Sequence, residues 1–290
     1  MAAVNTSGQS FDARFFYLVS WHDKRLAHKD SKPINKKLSD IWHPNIQILN
    51  QRKVWKTLPE QVKIMPDGKV IYVQAGWGTF SQPLKLKKFP FDTQKFHFKL
   101  LAACGEPITR VQFVAHQDNL SGFADNLSIA DWKVMKWHEE VKPYVLKNFV
   151  KRPAMNFSFT AKRLTSYYVV KMILPLVMIV MMSWAVFWMD PHNVASNVGI
   201  SITSMLTLIA YRFSADTILP RLSYLTSLDY FILASTILVF SSLVQNLTTS
   251  ILAKQEKFKM SYRFDVACRI GFPLIFIAIT AETMWLRWFL

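Results

Sequence analysis

Between Pro191 and Tyr211 this 290-residue chain carries no formal charge, yet the run contains Asn193, Ser196, Asn197, Ser201, Thr203, Ser204 and Thr207. Side chains of these types hydrogen-bond without ionising, so they suit a polar lining better than acid, base or nucleophilic chemistry. Such a segment is too polar to meet lipid on every side and must be shielded by protein or water. Gly199, Thr203, Leu206, Ala210 and Phe213 advance by four, three, four and three residues, which places them on one stripe of a helix. Several copies around an axis would turn that stripe into a conduit, with a hydroxyl ring at Thr203 and apolar rings at Leu206 and Phe213. Apolar constrictions gate by dewetting, which makes Leu206 the first gate candidate and Phe213 the second. The same stripe serves equally well as the buried core of a four-helix bundle, and periodicity does not choose between the two.

Covalent chemistry finds little to work with elsewhere. The sequence has no phosphate-cradling glycine loop, HExxH, GxSxG or CxxC, so no enzyme class is indicated. The seven histidines, at 22, 28, 43, 97, 116, 138 and 192, are dispersed and read as surface or structural residues rather than metal ligands. An unperturbed imidazole with pKa about 6.5 can still titrate near neutrality. Cys104 and Cys268 lie in different halves, which excludes a disulfide framework. No cofactor or metal is expected.

Charge and hydropathy divide the chain near Arg163. Up to that residue there are 26 Lys/Arg and 13 Asp/Glu, after it 9 and 6, so the first part carries most of the net charge of +16. The lysines are scattered, with no recognition helix or zinc-finger spacing, which argues for a solvated basic surface and against nucleic acid as a partner. No signal peptide is visible at the Met-Ala-Ala-Val start; an exported domain would have had its signal removed or have it outside this numbering.

After the division the uncharged run Met172 to Met189 is long enough to cross most of a hydrocarbon core of about 30 Å. A third helix is expected over about Tyr230 to Ala253 and a fourth over about Val266 to Trp288. The excess of Lys254, Lys257, Lys259 and Arg263 between them marks the cytoplasmic side, so the N-terminal part and the C-terminus face outward. Before the division, short alternating runs such as Val70 to Val73, Phe96 to Leu100 and Phe157 to Thr160, with an Asp67-Gly68 turn signal, predict an all-β sandwich.

Ile41-Trp42-His43-Pro44, then Phe89-Pro90-Phe91-Asp92-Thr93-Gln94, then Arg163 ahead of a helix carrying Ile173-Leu174-Pro175, resemble the pentameric ligand-gated ion channels. Ser183-Trp184, Val186-Phe187-Trp188 and Thr217-Ile218-Leu219-Pro220-Arg221 resemble the prokaryotic branch in particular, and the likeness runs from about Val4 to Leu290. The resemblance implies an α+β multidomain membrane protein, with an extracellular β-sandwich over 1–163 followed by a transmembrane four-helix pore domain over 164–290. It implies a homopentamer in the lipid membrane, a small-molecule ligand or protons acting on the outer domain, and five second helices around the pore. It thereby breaks the tie over the stripe.

By the same resemblance Phe91 and Asp92 belong to the loop that touches the membrane domain, Asp92 pairs with Arg163, and Leu219-Pro220 transmit motion into the pore. Asn5, Thr6 and Ser7 resemble the opposing loop tip. The cysteines that close the signature loop of animal relatives would fall at Gln82 and Phe96, so that disulfide is absent. By the same resemblance the first strand of the family is absent or lies outside the numbering. The acidic ring of cation-selective relatives is replaced by Val194-Ala195-Ser196-Asn197, while Asp190, Asp216 and the prokaryotic likeness favour permeant monovalent cations over anions. For the ligand, Leu101-Ala102-Ala103-Cys104 supplies no aromatic wall. Tyr144 and Phe149, with Trp77 and Trp132 as weaker ones, are the candidates, although a lone aromatic here is more often sandwich core. The expectation is a ligand- or pH-gated channel of the bacterial inner membrane; the competing readings are an anion-selective channel and a non-conducting membrane-anchored sensor.

Overall fold

The structure, a computed structural model, describes residues 3–105, 108, 110–114, 121–123, 131–145, 151–190, 192–216 and 222–286. The chain forms two compact units: Met1–Leu84 with Thr93–Lys162, and Lys85–Asp92 with Arg163–Leu290.

The first unit is built of strands. β1 (Ala3–Asn5), β2 (Ser10–His22), β3 (Ile34–Lys37), β5 (Gln51–Lys56), β6 (Gln61–Ile64) and β7 (Lys69–Ser81) make one antiparallel sheet in the order β1-β2-β7-β6-β3, with β5 also on β7. β4 (Ile46–Ile48), β8 (Thr93–Ala102), β9 (Trp132–Val141) and β12 (Ala154–Arg163) make the second, ordered β4-β8-β12-β9. β10 (Tyr144–Val145) and β11 (Lys151–Arg152) pair as a separate ribbon. Alternation along β7, where every second residue from Val70 to Phe80 is buried, turns one face of the first sheet inward. Phe11 and Phe80 of that sheet meet Phe96 and Phe159 of the other. Phe11 lies 5.4 Å from Phe80 and 5.2 Å from Phe96, and Phe96 lies 5.2 Å from Phe159, so these rings join the two layers. All four are at most 1% exposed, each contributing about 1.5–3 kcal/mol of burial. At Gly78 a Cβ would stand 2.4 Å from the Lys53 carbonyl, so glycine is what lets β5 lie against β7 there.

Among the described residues the second unit contains four helices long and apolar enough to cross a membrane: α1 (Ser166–Trp188), α2 (Val194–Asp216), α3 (Ser227–Lys254) and a fourth over Lys259–Thr283, here α4. Mean hydropathy is 2.2 for α1 and only 1.4 for α2, in line with the polar character of the second helix. α1 begins six residues before the uncharged run: the Lys171 ammonium sits 4.9 Å from the Tyr167 ring centre, so the charge does not end the helix. A π-helical stretch, Val169–Ile173, precedes Pro175, and there the Met172 carbonyl accepts the Tyr211 hydroxyl of α2 at 2.7 Å. α3 starts at Ser227 because Thr226 and Asp229 form a reciprocal capping box. Leu176, Val180, Phe187, Leu208, Leu228, Phe231 and Val239 fill the bundle, each at most 1% exposed.

Candidate functional site

The structure divides α2 into two faces. Asn197, Ser201, Ser204, Leu208 and Ala215 point into the bundle and are 0–2% exposed. Asn197 donates through Nδ2 to the Asp190 carbonyl at 2.9 Å, and Asn246 of α3 donates to the Ser201 hydroxyl at 3.2 Å. The seam is therefore polar, and the donors of Asn197 and Asn246 offset the cost of burial by bonding the Asp190 carbonyl and the Ser201 hydroxyl. Gly199, Thr203, Leu206, Ala210 and Phe213 occupy another face, and all five are exposed on the protomer, Leu206 to 61% and Phe213 to 71%. The core of this bundle is thus the Asn197–Ala215 face, not the stripe. Thr203 donates its hydroxyl to the Gly199 carbonyl and Thr207 to the Thr203 carbonyl, both at 2.8 Å. A carbonyl only accepts, so each threonine hydrogen is committed and the oxygen lone pairs remain available outward.

The loop Lys85–Asp92 groups with the helices although it lies between two strands of the sandwich. The Lys87 carbonyl accepts both the backbone N–H of Ser227, at 2.9 Å, and its hydroxyl, at 3.1 Å, fastening the loop to the start of α3. The Leu86 N–H donates to the Tyr224 hydroxyl at 3.1 Å. Asp92 and Arg163 form a two-pronged pair, Nε to Oδ1 at 2.7 Å and an Nη to Oδ2 at 3.2 Å, with the residues only 2% and 3% exposed. The Arg163 guanidinium also donates to the Tyr168 hydroxyl at 3.3 Å and stacks 4.9 Å from the Phe89 ring centre, while Phe89 and Tyr168 meet edge to face at 5.0 Å. A charge pair so deeply buried is tolerable because the guanidinium also bonds the Tyr168 hydroxyl and its flank is aromatic. Phe91 is half-buried beside the pair. Leu219 and Pro220 lie outside the described residues.

A sequence model of the neurotransmitter-gated ion-channel ligand binding domain matches residues 1–165, and one of the neurotransmitter-gated ion-channel transmembrane region matches residues 172–261. The chain belongs to the neurotransmitter-gated ion channels. It is 23% identical over 281 residues to a proton-gated ion channel of Gloeobacter violaceus, an alignment covering 95% of this chain and 77% of that one. It is 24% identical over 282 residues to gamma-aminobutyric acid receptor subunit rho-1 of Mus musculus, covering 93% of this chain and 58% of that subunit. This is a family of pentameric ligand-gated channels rather than enzymes, in agreement with the lack of a catalytic constellation in the sequence.

Within this channel chain the four aromatic candidates fall in different settings. Tyr144, on β10, is 39% exposed, and Trp77, on β7, is 47% exposed and stacked on Trp55 with ring centres 4.1 Å apart. Trp132 is 5% exposed and packs edge-on against Phe96, the core position expected more often of a lone aromatic there. Phe149 lies outside the described residues. The Asn5 side chain accepts from Ser7 Oγ at 3.0 Å and from the Gly8 N–H at 2.7 Å, closing the tight turn between β1 and β2. Gln82 and Phe96, where the signature cysteines would fall, are buried, and Cys104 and Cys268 are free thiols. Sequence reading passed over Phe89 and Tyr168 as partners of Arg163, because nothing in their spacing announces a ring against a guanidinium. It also passed over the Thr226 cap, for which Thr-x-x-Asp ahead of an apolar run was an available signal.

Proposed function

We propose that the chain assembles as a homopentamer around an axis lined by α2 and passes small monovalent cations when a ligand or a change in protonation favours an open state. What carries this reading is the exposure of the stripe Gly199, Thr203, Leu206, Ala210 and Phe213 on a helix whose opposite face is already the bundle core. A lipid contact would leave the Thr203 oxygen facing hydrocarbon, whereas a ring of five such oxygens around water would be solvated. With their hydrogens bound to backbone carbonyls, Thr203 and Thr207 offer lone pairs to passing ions, which favours cations. Asp190 and Asp216, both exposed at the ends of the α2 segment, act in the same sense. Leu206 and Phe213 are the apolar rings that close the path. On α4 the exposed Ile270, Leu274 and Ile277 meet membrane lipid.

In this proposal the outer domain faces the outside of a bacterial cell membrane and receives the ligand at protomer boundaries, with Tyr144, Phe149, Trp77 and Trp132 as the candidate residues. Asp92, Arg163 and Phe91 hold the loop to the helices, and Leu219-Pro220 carry the movement to α2. A proton-gated relative supports protons as the activating species. The GABA receptor relative and the missing acid over Val194 to Asn197 support the second reading, an anion-selective channel. Reversal potentials in asymmetric KCl separate the two: the cation reading places reversal toward the potassium equilibrium potential, the anion reading gives the opposite sign. A protein that conducts under no condition would be the non-conducting sensor instead.

A further inference from the structure

Asp265 stands within α4, inside a membrane-spanning segment, and the residue is only 5% exposed. A carboxyl group in that position is costly and calls for both a partner and a use. Its partner is Gln245 of α3, likewise 5% exposed, whose Nε2 donates to Asp265 Oδ1 at 2.6 Å. One turn nearer the α3–α4 connection the same seam is joined again, where the Ser261 hydroxyl donates to the Thr249 carbonyl at 3.2 Å. The amide is only half satisfied, because Gln245 Oε1 is buried and no hydrogen bond reaches it. An ionised carboxylate only accepts, so it has no hydrogen to give that oxygen. A protonated carboxyl does: Oδ1 still accepts from Nε2, while an O–H on Oδ2 supplies what Oε1 lacks. Turning the amide over does not remove the need. Oε1 would then stand 2.6 Å from Oδ1, and two acceptors at that separation require a hydrogen between them. Ionisation leaves a buried charge and a buried orphan, and a proton removes both.

The elements packed against this part of α4 are α3 and the last turn of α1. On α3 the charged side chains are Asp229 and Lys254, about 24 and about 13 Å along the helix from Gln245. α1 carries its charge, Lys171, near its other end. Toward α4 it presents the Phe187 carbonyl, which accepts Arg269 Nε at 2.8 Å, and the Trp188 ring, whose centre lies 6.0 Å from the guanidinium. On α4 itself Lys259 and Arg263 are exposed, the Cys268 thiol feels the Asp265 charge, and Arg269, one turn on, is the cation that acts on Asp265. Arg269 is bonded to α1, and among the described residues Asp265 has no ion pair within 4.0 Å. A donor N–H and a guanidinium so near disfavour a metal cation and leave the proton as the ligand. The end of the bundle nearest Asp265 carries Lys254, Lys257, Lys259 and Arg263, the excess that marks the cytoplasmic side, so the proton comes from there.

We propose that Asp265 and Gln245 form a proton-binding site, contained within one protomer, through which cytoplasmic pH acts on the channel by adding a hydrogen bond across the α3–α4 seam. The sidedness and the effect on current rest on the orientation and conduction proposed above; proton binding itself does not. The full chain in detergent is taken from about pH 8 to about pH 5 while the carbonyl stretch of protonated carboxyl groups is followed by difference infrared spectroscopy. The wild type gains a band that is missing from Asp265→Asn at unchanged circular dichroism and is retained by Asp265→Glu. Gln245→Leu, which takes the amide away, moves that band to higher frequency as the carboxyl carbonyl loses its donor, and Gln245→Met does the same should the leucine variant fold poorly. In planar bilayers with the two chambers acidified one at a time, acid on the side of the α3–α4 connection changes the open probability of the wild type, and Asp265→Asn loses that response. Identical infrared differences in wild type and Asp265→Asn overturn the site, and a band indifferent to both Gln245 variants overturns the part given to the amide. A response to acid from the opposite chamber alone, or one unchanged in Asp265→Asn, overturns the action of cytoplasmic pH. A channel silent in both chambers counts against the conduction reading, and the infrared result then decides the site by itself.

Discussion

Replacing Arg163 by Gln is the sharpest test of the buried junction. In the wild type the guanidinium gives Asp92 two hydrogen bonds, at 2.7 and 3.2 Å, in a setting where both residues are nearly inaccessible. Removing it strands a carboxylate that water does not reach, for which one-sided loss of a buried pair costs about 3–5 kcal/mol. Asp92→Asn is milder, about 2 kcal/mol, because Asn still accepts one bond and the guanidinium keeps Tyr168 and the Phe89 face. The double variant leaves two neutral amides able to bond each other, so its cost falls short of the sum by at least about 2 kcal/mol. Denaturant unfolding of the detergent-solubilised protein, followed by tryptophan fluorescence, gives the four corners of the cycle. Activation curves of the same proteins report whether the pair also couples the two units. Single variants within about 0.5 kcal/mol of wild type, or strictly additive costs, would refute the claim that this pair is mutually dependent.

Other perturbations address the remaining elements. In the proposed pore Leu206→Ala widens and wets the apolar constriction, so activation should shift to weaker stimulus and spontaneous openings should appear in current recordings; an unchanged curve would remove Leu206 from the gate. Thr226→Ala deletes the side chain that accepts the Asp229 N–H and should cost about 0.5–2 kcal/mol in unfolding experiments, whereas Thr226→Ser should cost much less. His97, half-buried on β8, has its imidazole pushed below the ordinary 6.5 by burial and by Lys99 and Lys95. The unfolded chain therefore takes up that proton first, so the contribution to stability is present above 6.5 and declines as pH falls through the folded value. The unfolding midpoint should drop between pH 7.5 and 5 by less in His97→Gln than in wild type.

How much of this was legible in the sequence varies with the physics of each element. The Asp67-Gly68 turn was readable because glycine there adopts φ 87°, and a Cβ would stand 2.7 Å from the Asp23 carbonyl. Helix number was readable from uncharged length, but helix starts were not: Lys171 lies within α1 over the Tyr167 ring, and Ser227 starts α3 by capping, neither of which hydropathy registers. The face of α2 was opaque for a deeper reason. Polarity along the helix sums Asn197, Ser201 and Ser204, which are buried in the bundle, with Thr203 and Thr207, which face out, although Ser204 bonds its own helix backbone just as the two threonines do. Residue type is nearly the same in both sets, so only the partner helices tell them apart. The Asp92–Arg163 pair was reached through a family likeness, since 71 residues separate its members and no periodicity links them.

The central claim is that the exposed stripe of α2 borders the ion path, and unitary current through Thr203→Lys tests it most directly. In planar bilayers the wild-type protein should give discrete currents reversing toward the potassium potential, and five added ammonium groups at Thr203 should abolish them or move reversal toward chloride. Wild-type silence across pH and ligands, or unitary currents unchanged in size and reversal by Thr203→Lys, would contradict it.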